Sequence, residues 1–331
     1  MPFDYFVQRA NHLGAQHIPF FFLIDFEQQH PIICPLAECA EQGIWFEFPS
    51  QNNLPMAAQS SPDKPFRLEK FPIDFATYQQ GFDIVQQALQ QGNSYLLNLT
   101  YATPIAINYD LNTLFFATQA KYKLLFKKEF VCFSPEPFVK IAHNQIFTYP
   151  MKGTMNADLP DAEKQLINSE KEQREHYTIV DLMRNDLAMV GQNVQVTRFR
   201  YLEKIITERG AIWQTSSEIR ADLNTNWQAH IGTILSQLLP AGSISGAPKE
   251  KTVATIQQAE LGQRGYYTGV FGIFNGESLE SAVAIRFISQ QNGQYSFHSG
   301  GGITIQSNAE QEYQELLEKI YVPLKAQKGT N

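Results

Sequence analysis

Cysteine is scarce in this 331-residue chain: Cys34, Cys39 and Cys132 are an odd number, scattered without metal-ligand spacing. They give no disulfide framework and no zinc motif, and reduced thiols in the cytoplasm are the expectation. Long apolar runs are missing too. No stretch approaches the ~20 residues that a membrane-spanning helix needs. The first residues lack the basic-then-apolar pattern of a signal peptide, so neither membrane association nor export is expected. Positive charge is in short supply, with 26 Lys and Arg against 33 Asp and Glu and a net charge of −7. A nucleic-acid binder would carry a basic stripe, and none is visible. An acidic protein can still hold an anionic ligand, but only through local devices: a metal ion, arginines or backbone N–H groups. No internal repeat marks a solenoid or propeller.

What is present describes a soluble globular protein. Hydrophobic residues make up 43% and charged residues 18%, which is ample for a core. Apolar runs at 18–24 and 44–48 read as strands, and the Ser-, Gln-, Asn- and Pro-rich residues 49–66 as an irregular crossover. A helix is expected at 75–91, where Phe82, Ile84, Val85 and Leu89 recur at helical spacing and Gly92 ends it. Strands follow near 94–107, 129–133, 138–142 and 145–149. Residues 161–188 read as a long helix or a broken pair. Further strands are expected near 194–200, 210–219, 268–275 and 281–289, with helices near 226–238, 248–259 and 309–326. The irregular alternation and short turns point to an α+β fold with sizeable antiparallel sheets.

Several constellations could carry chemistry. Lys152 lies in Tyr149-Pro150-Met151-Lys152-Gly153-Thr154, read as an amine mounted on a turn, where it could reach a substrate as a nucleophile. Glu172 and Glu175 are three residues apart on one helix face, and Glu312 and Glu315 repeat the arrangement on another. One carboxylate from each helix, with waters and an anionic substrate group, is how Mg²⁺ prefers to be held. The turn from Pro240 to Lys249 runs into a helix whose free N–H groups favour an anion. A second turn, Ser299-Gly300-Gly301-Gly302-Ile303-Thr304, can bring backbone N–H groups against a ligand. Arg286 ends an apolar strand, either paired structurally or offered as a carboxylate clamp. Glu136, between Pro135 and Pro137, reads as an exposed turn residue or as a carboxyl kept protonated for general acid work.

Taken in order, these segments resemble the chorismate-binding family of anthranilate, aminodeoxychorismate, isochorismate and salicylate synthases. The matching motifs are Pro150–Thr154, Glu175-His176 leading to Asp181–Asp186, Gly246–Lys249, Ala284–Arg286, Gly300–Ile303 and Glu312–Glu315. The resemblance implies one chorismate-binding domain over 1–331, an α/β/α sandwich with two large antiparallel sheets. A shortened N-terminal portion, about 1–74, precedes a family-like core, about 75–326. It implies Mg²⁺ held by Glu175 and Glu315, with Glu172 and Glu312 as acidic neighbours. Arg286, Tyr267, Gly301 and Gly302 would hold a substrate carboxylate, with Ser245, Gly246, Lys249 and Thr154 completing the binding set.

Within the family the chain looks like the aminodeoxychorismate synthases, which lead toward para-aminobenzoate and folate. Anthranilate synthases typically have alanine where this chain has Lys152. They also carry a histidine used in losing pyruvate, at the position matched here by Trp213, and indole is no base. Isochorismate and salicylate synthases place a water-activating lysine at the position of Leu96, where aminodeoxychorismate synthases commonly have glutamine. The implied reaction has Lys152 attack C2 of chorismate, Glu136 protonate the departing C4 hydroxyl, and ammonia add at C4. Lys152 must be neutral to attack, so burial is expected to depress its pKa from about 10.4. No cysteine sits in a Gly-x-Cys-x-Gly turn, so the resemblance implies a separate glutamine amidotransferase subunit as the source of ammonia. The alternatives are an anthranilate synthase large component and a catalytically idle chorismate-binding partner protein.

Overall fold

The computed structural model describes residues 1–55, 64–207 and 210–325. The chain opens with α1 (Phe3–Ala15), β1 (Phe20–Ile24), β2 (Ile32–Pro35), β3 (Ile44–Glu47), β4 (Leu68–Lys70), α2 (Phe75–Gln90), β5 (Leu96–Ile107) and α3 (Leu111–Ala117). Four short strands, β6 (Tyr122–Phe126), β7 (Phe130–Ser134), β8 (Pro137–Ala142) and β9 (Gln145–Thr148), lead to β10 (Met151–Asn156). Then come α4 (Ala162–Asn168), α5 (Glu170–Val190), β11 (Gln192–Thr207), β12 (Gly210–Asp222), α6 (Ile231–Leu238), α7 (Gly242–Ser245), β13 (Gly246–Ala247) and α8 (Lys249–Ala259). The chain closes with β14 (Val270–Phe274), β15 (Leu279–Val283), β16 (Phe287–Gln291), β17 (Gln294–Ile303) and α9 (Ala309–Glu318).

The strands form two antiparallel sheets. One has nine strands along the path β10-β12-β9-β8-β15-β14-β1-β2, with β11 also on β12. The other has eight along β13-β5-β17-β16-β7-β6-β3, with β4 also on β5. Strand β1 shows why the layers stack as they do. Its sequence, Phe-Phe-Phe-Leu-Ile, is buried at every position, because side chains alternate between two faces and both faces are covered. Phe20, Phe22 and Ile24 join a core with Phe6 and Leu13 of α1, Ile179 of α5 and Leu235 of α6. Phe21 and Leu23 point the other way, toward Phe46, Leu124, Phe130 and Phe287 of the eight-stranded sheet. The outer face of that sheet is capped by α2, α8 and α9, where Tyr78, Ile256 and Leu316 meet Leu97, Leu99 and Ile303. The result is α+β: helices, two facing antiparallel sheets, helices.

Several local expectations change. Helices α1, α3 and α7 and strands β2, β4, β6 and β13 are additional to the expected set. The helix expected over 161–188 is the broken pair, α4 and α5, parted at Ser169, which caps α5 by accepting from the Glu172 N–H. The strand expected at 281–289 is two strands, separated at Arg286, whose φ of 53° lies in the left-handed region. Neither expected active-site turn is a turn: Lys152 lies in β10 and the triple glycine closes β17. The last helix stops at Glu318 instead of 326. Residues 56–63 of the expected crossover and residue 326 lie outside the described residues.

Because β1 serves two cores at once, Phe21→Ala and Phe22→Ala should each cost about 3–5 kcal/mol in urea unfolding. Tyr5→Ala, on the exposed side of α1, should stay within about 0.5 kcal/mol.

Candidate active site

Two capped helices aim carboxylates at a common space. Ser169 fixes the start of α5, so that Glu172 and Glu175 fall in its first two turns. Asn308 does the same for α9, accepting from the Gln311 N–H at 3.1 Å and placing Glu312 and Glu315. Helix N-termini favour negative charge, which eases the crowding of these acids. Between the helices lies a cavity of about 770 Å³, whose wall includes Lys152, Glu175, Glu312, Glu315, Arg286 and Lys319.

Lys152 reaches this cavity from β10 because the strand is irregular there: its register on β12 shifts between Met151 and Thr154. Gly153 makes that possible. Its φ is +91°, and a Cβ on it would lie 2.8 Å from Glu172 Oε2. Opposite, β17 must run close beside β5: a Cβ on Gly300 would come within 2.3 Å of the Leu99 carbonyl oxygen. The glycines thus serve close strand pairing, with Gly300 to Gly302 opposite Thr100 to Asn98. Arg286 uses its left-handed backbone to leave the sheet. Its guanidinium donates to the Lys319 carbonyl at 3.3 Å and stacks 4.9 Å from the Tyr321 ring.

The expected site residues divide by location. The cavity wall includes Lys152, Thr154, Glu136, Glu175, Glu312, Glu315, Tyr267, Arg286, Gly301 and Gly302. Glu172 sits just behind Gly153. Ser245, Gly246 and Lys249 are not brought to the wall. Ser245 is buried, donating to the Ala241 carbonyl at 2.9 Å. Lys249 turns away to Asp186 at 3.0 Å and the Leu238 carbonyl at 2.7 Å. From that segment Ser243 and Ile244 face the cavity instead. On β12 the wall residue is Gln214, whereas Trp213 lies near Lys204, 5.5 Å from its ring centroid. Neither is a base. The sequence reading also passed over Lys319, four residues after Glu315 on the same helical face and therefore findable by spacing, and His298, two residues before the glycine run.

Electrostatics give these groups different characters. Glu136 is enclosed by protein but open to the cavity. Burial raises its pKa, opposed by Ser243, which donates to its carboxylate at 2.6 Å. Burial alone would lower the pKa of Lys152. Glu175 at 3.1 Å, with Glu315 and Glu172, outweighs burial, and the pKa is raised. The expected depression is therefore absent in this arrangement, because three carboxylates surround the amine. Of Lys152 and Lys319, it is Lys319 whose pKa is lowered. Burial, with Arg286 and Lys152 nearby, prevails over Glu315 at 2.7 Å. Burial raises Glu172 and Glu312, and the neighbouring carboxylates Glu175 and Glu315 push in the same direction.

This donor set suits a hard cation. It is all oxygen, drawn from two helices, and its acids are crowded by one another. Among the described residues no three His, Cys, Asp or Glu side chains form a ready-made cage, and Mg²⁺ usually keeps several waters instead of filling such a cage. The three cysteines are buried, with thiol pKa values raised by burial, so none is poised as a nucleophile.

His176 supports Lys152 from behind. Its Nδ1 donates to the Lys152 carbonyl at 3.3 Å, and its Nε2 accepts from Ser217 Oγ at 2.7 Å. Burial drives its pKa down to about 4. A depressed histidine pKa gives stability that is present above the unfolded value near 6.5 and lost as pH falls toward 4. Urea unfolding should therefore weaken by roughly 3 kcal/mol across that window, and His176→Gln should flatten the profile.

A family model described as chorismate binding enzyme matches residues 16–325. The chain is 65% identical over 319 residues to an uncharacterized PabA-like protein of Pasteurella multocida, covering 96% of this chain and 98% of that one. It is 31% identical over 286 residues to aminodeoxychorismate synthase component 1 of Salmonella typhimurium, covering 80% of this chain and 61% of that enzyme. The menaquinone-specific isochorismate synthase of Escherichia coli shares the fold, with a TM-score of 0.71, 18% identity, and coverage of 96% of this chain and 80% of that one. With motifs, fold, cavity and relatives in agreement, this chain belongs to the chorismate-binding enzyme family.

Proposed function

We propose that this chain aminates chorismate at C4 to give 4-amino-4-deoxychorismate, as the chorismate-aminating component of an aminodeoxychorismate synthase. The observation that carries the reading is that an amine, Lys152, and a carboxyl with raised pKa, Glu136, face one cavity. Arg286 and Lys319 supply the cationic side for a dicarboxylate, with Tyr267, Gly301 and Gly302 beside them. Glu175 and Glu315 would hold Mg²⁺, with Glu172 and Glu312 adding negative charge. When bound, Mg²⁺ would neutralise part of that charge and relieve the carboxylate pull on Lys152, leaving burial to lower its pKa.

In the proposed reaction the Lys152 amine forms a bond to C2. The double bonds shift and the C4–O bond breaks, with the Glu136 proton leaving in water. Ammonia then forms a bond to C4, the double bonds shift back as the C2–N bond breaks to release the Lys152 amine, and one proton of the added nitrogen returns to Glu136. Ammonia would come from a separate glutamine amidotransferase subunit, in keeping with the buried cysteines. A second reading, the anthranilate synthase large component, draws support from His298. Burial lowers its pKa to about 4, so it stands neutral on the cavity wall. Its Nε2 lies 2.8 Å from Ser289 Oγ.

The test is incubation with chorismate, Mg²⁺ and ammonium, with products resolved by mass spectrometry. Aminodeoxychorismate with its pyruvyl group retained supports the first reading, and fluorescent anthranilate plus pyruvate the second. No turnover would favour the idle partner protein. Glu136→Gln should lower kcat about 10²–10⁴-fold, the range for losing a general acid. Lys152→Ala should abolish turnover where the adduct is obligatory, and a modest loss would show that ammonia attacks directly.

A further inference from the structure

Behind the cavity lies a buried ion pair that no step above uses. Glu260 and Arg264 follow the end of α8, and their side chains are 4% and 2% exposed. Burying such a pair rarely gains stability over an apolar pair of similar volume. Its bonds show what else it does. Arg264 Nε and Nη2 grip the Glu260 carboxylate at 2.9 and 2.6 Å. The second Nη2 hydrogen goes to the Asn98 carbonyl of β5 at 2.6 Å. The two Nη1 hydrogens go to the Ile244 carbonyl of α7 at 3.1 Å and to Thr268 Oγ1 at 3.3 Å. All five guanidinium donors are therefore engaged. Glu260 extends the grip on β5, accepting from the Thr100 N–H at 2.8 Å and its hydroxyl at 3.0 Å.

Asn98, Ile244 and Thr268, on three separate segments, all line the cavity. Thr268 needs holding. It is β-branched yet has a φ of +58°, a conformation that persists only where its surroundings enforce it. It directly follows Tyr267, which the reading above places beside the substrate. From the far side, the Phe26 ring stacks 4.4 Å from the guanidinium, and Glu27 accepts from the Arg264 N–H at 2.8 Å and the Gly265 N–H at 3.0 Å.

We propose that Arg264, locked by Glu260 and Phe26, is a positioning residue that sets the β5 wall, the Ser243–Ile244 turn and Tyr267 at fixed spacing around the substrate. Lysine cannot replace it, because three donors on a flexible stem cannot span the three segments. The inference rests on reading this cavity as the site of chorismate turnover, so wild-type turnover is measured alongside.

Arg264→Lys retains the charge opposite Glu260 and should lower kcat/KM for chorismate at least tenfold, with KM raised, at a temperature where the variant is fully folded. Phe26→Leu, outside the cavity wall, should raise KM several-fold, and it carries the test should Arg264→Lys fail to fold. A purely structural pair would instead lower the melting temperature and leave KM and kcat of the folded variants at wild-type values, which would overturn the proposal. Should the wild type not turn over, the proposed reaction fails by itself. The dissociation constant for chorismate, read by protein fluorescence, then takes the place of KM with the same two outcomes.

Discussion

The structure around the cavity is organised by the pairing of charges that cannot be left alone away from bulk water. Glu172, Glu175, Glu312 and Glu315 enter from two helices, and Lys152, Lys319 and Arg286 answer from a strand, a helix end and a strand break. An unpaired ion in such a place costs several kcal/mol, so each element that bears one is held to its partner. Helix α5 is held to β10 through Glu175 and Lys152, and α9 is drawn to β17 by Lys319, which donates to the Gly300 carbonyl at 2.8 Å.

That arrangement has a chemical consequence. The two lysines differ in character although each faces a glutamate. Lys152 has three carboxylates about it and its pKa is raised. Lys319 is buried, with Arg286 and Lys152 for company, and its pKa is lowered. An anionic or dicationic arrival would shift these balances in opposite directions. The cavity is thus electrostatically responsive to what it binds, while the two sheets around it are packed together through cores such as the one shared by Phe21, Phe46 and Phe271.

Much of the site was legible before the fold. Short motifs named Lys152, Glu136, Glu175, Glu315 and Arg286, and all five share one cavity. Local sequence misled where backbone and tertiary context decide. Gly153 and Gly300 to Gly302 look like turn residues, yet they sit in strands because glycine also permits close strand approach. Ser245, Gly246 and Lys249 belong to a family-like motif, but the short helix α7 turns Ser243 and Ile244 to the cavity and leaves Lys249 to Asp186. On β12, side-chain alternation places Gln214 and not Trp213 on the wall, and a one-residue phase cannot be read without knowing which face is covered.

The sequence by itself determined the class of the protein, the carboxylate spacing on α5 and α9 and candidate groups such as Lys152, Glu136 and Arg286, because these follow from residue type and helical period. Only the tertiary structure decided which groups face one another, that Lys152 is surrounded by acid, and that Lys319 stands beside Arg286. Those facts depend on distances between segments remote in the chain, and Coulomb energy and desolvation act through space.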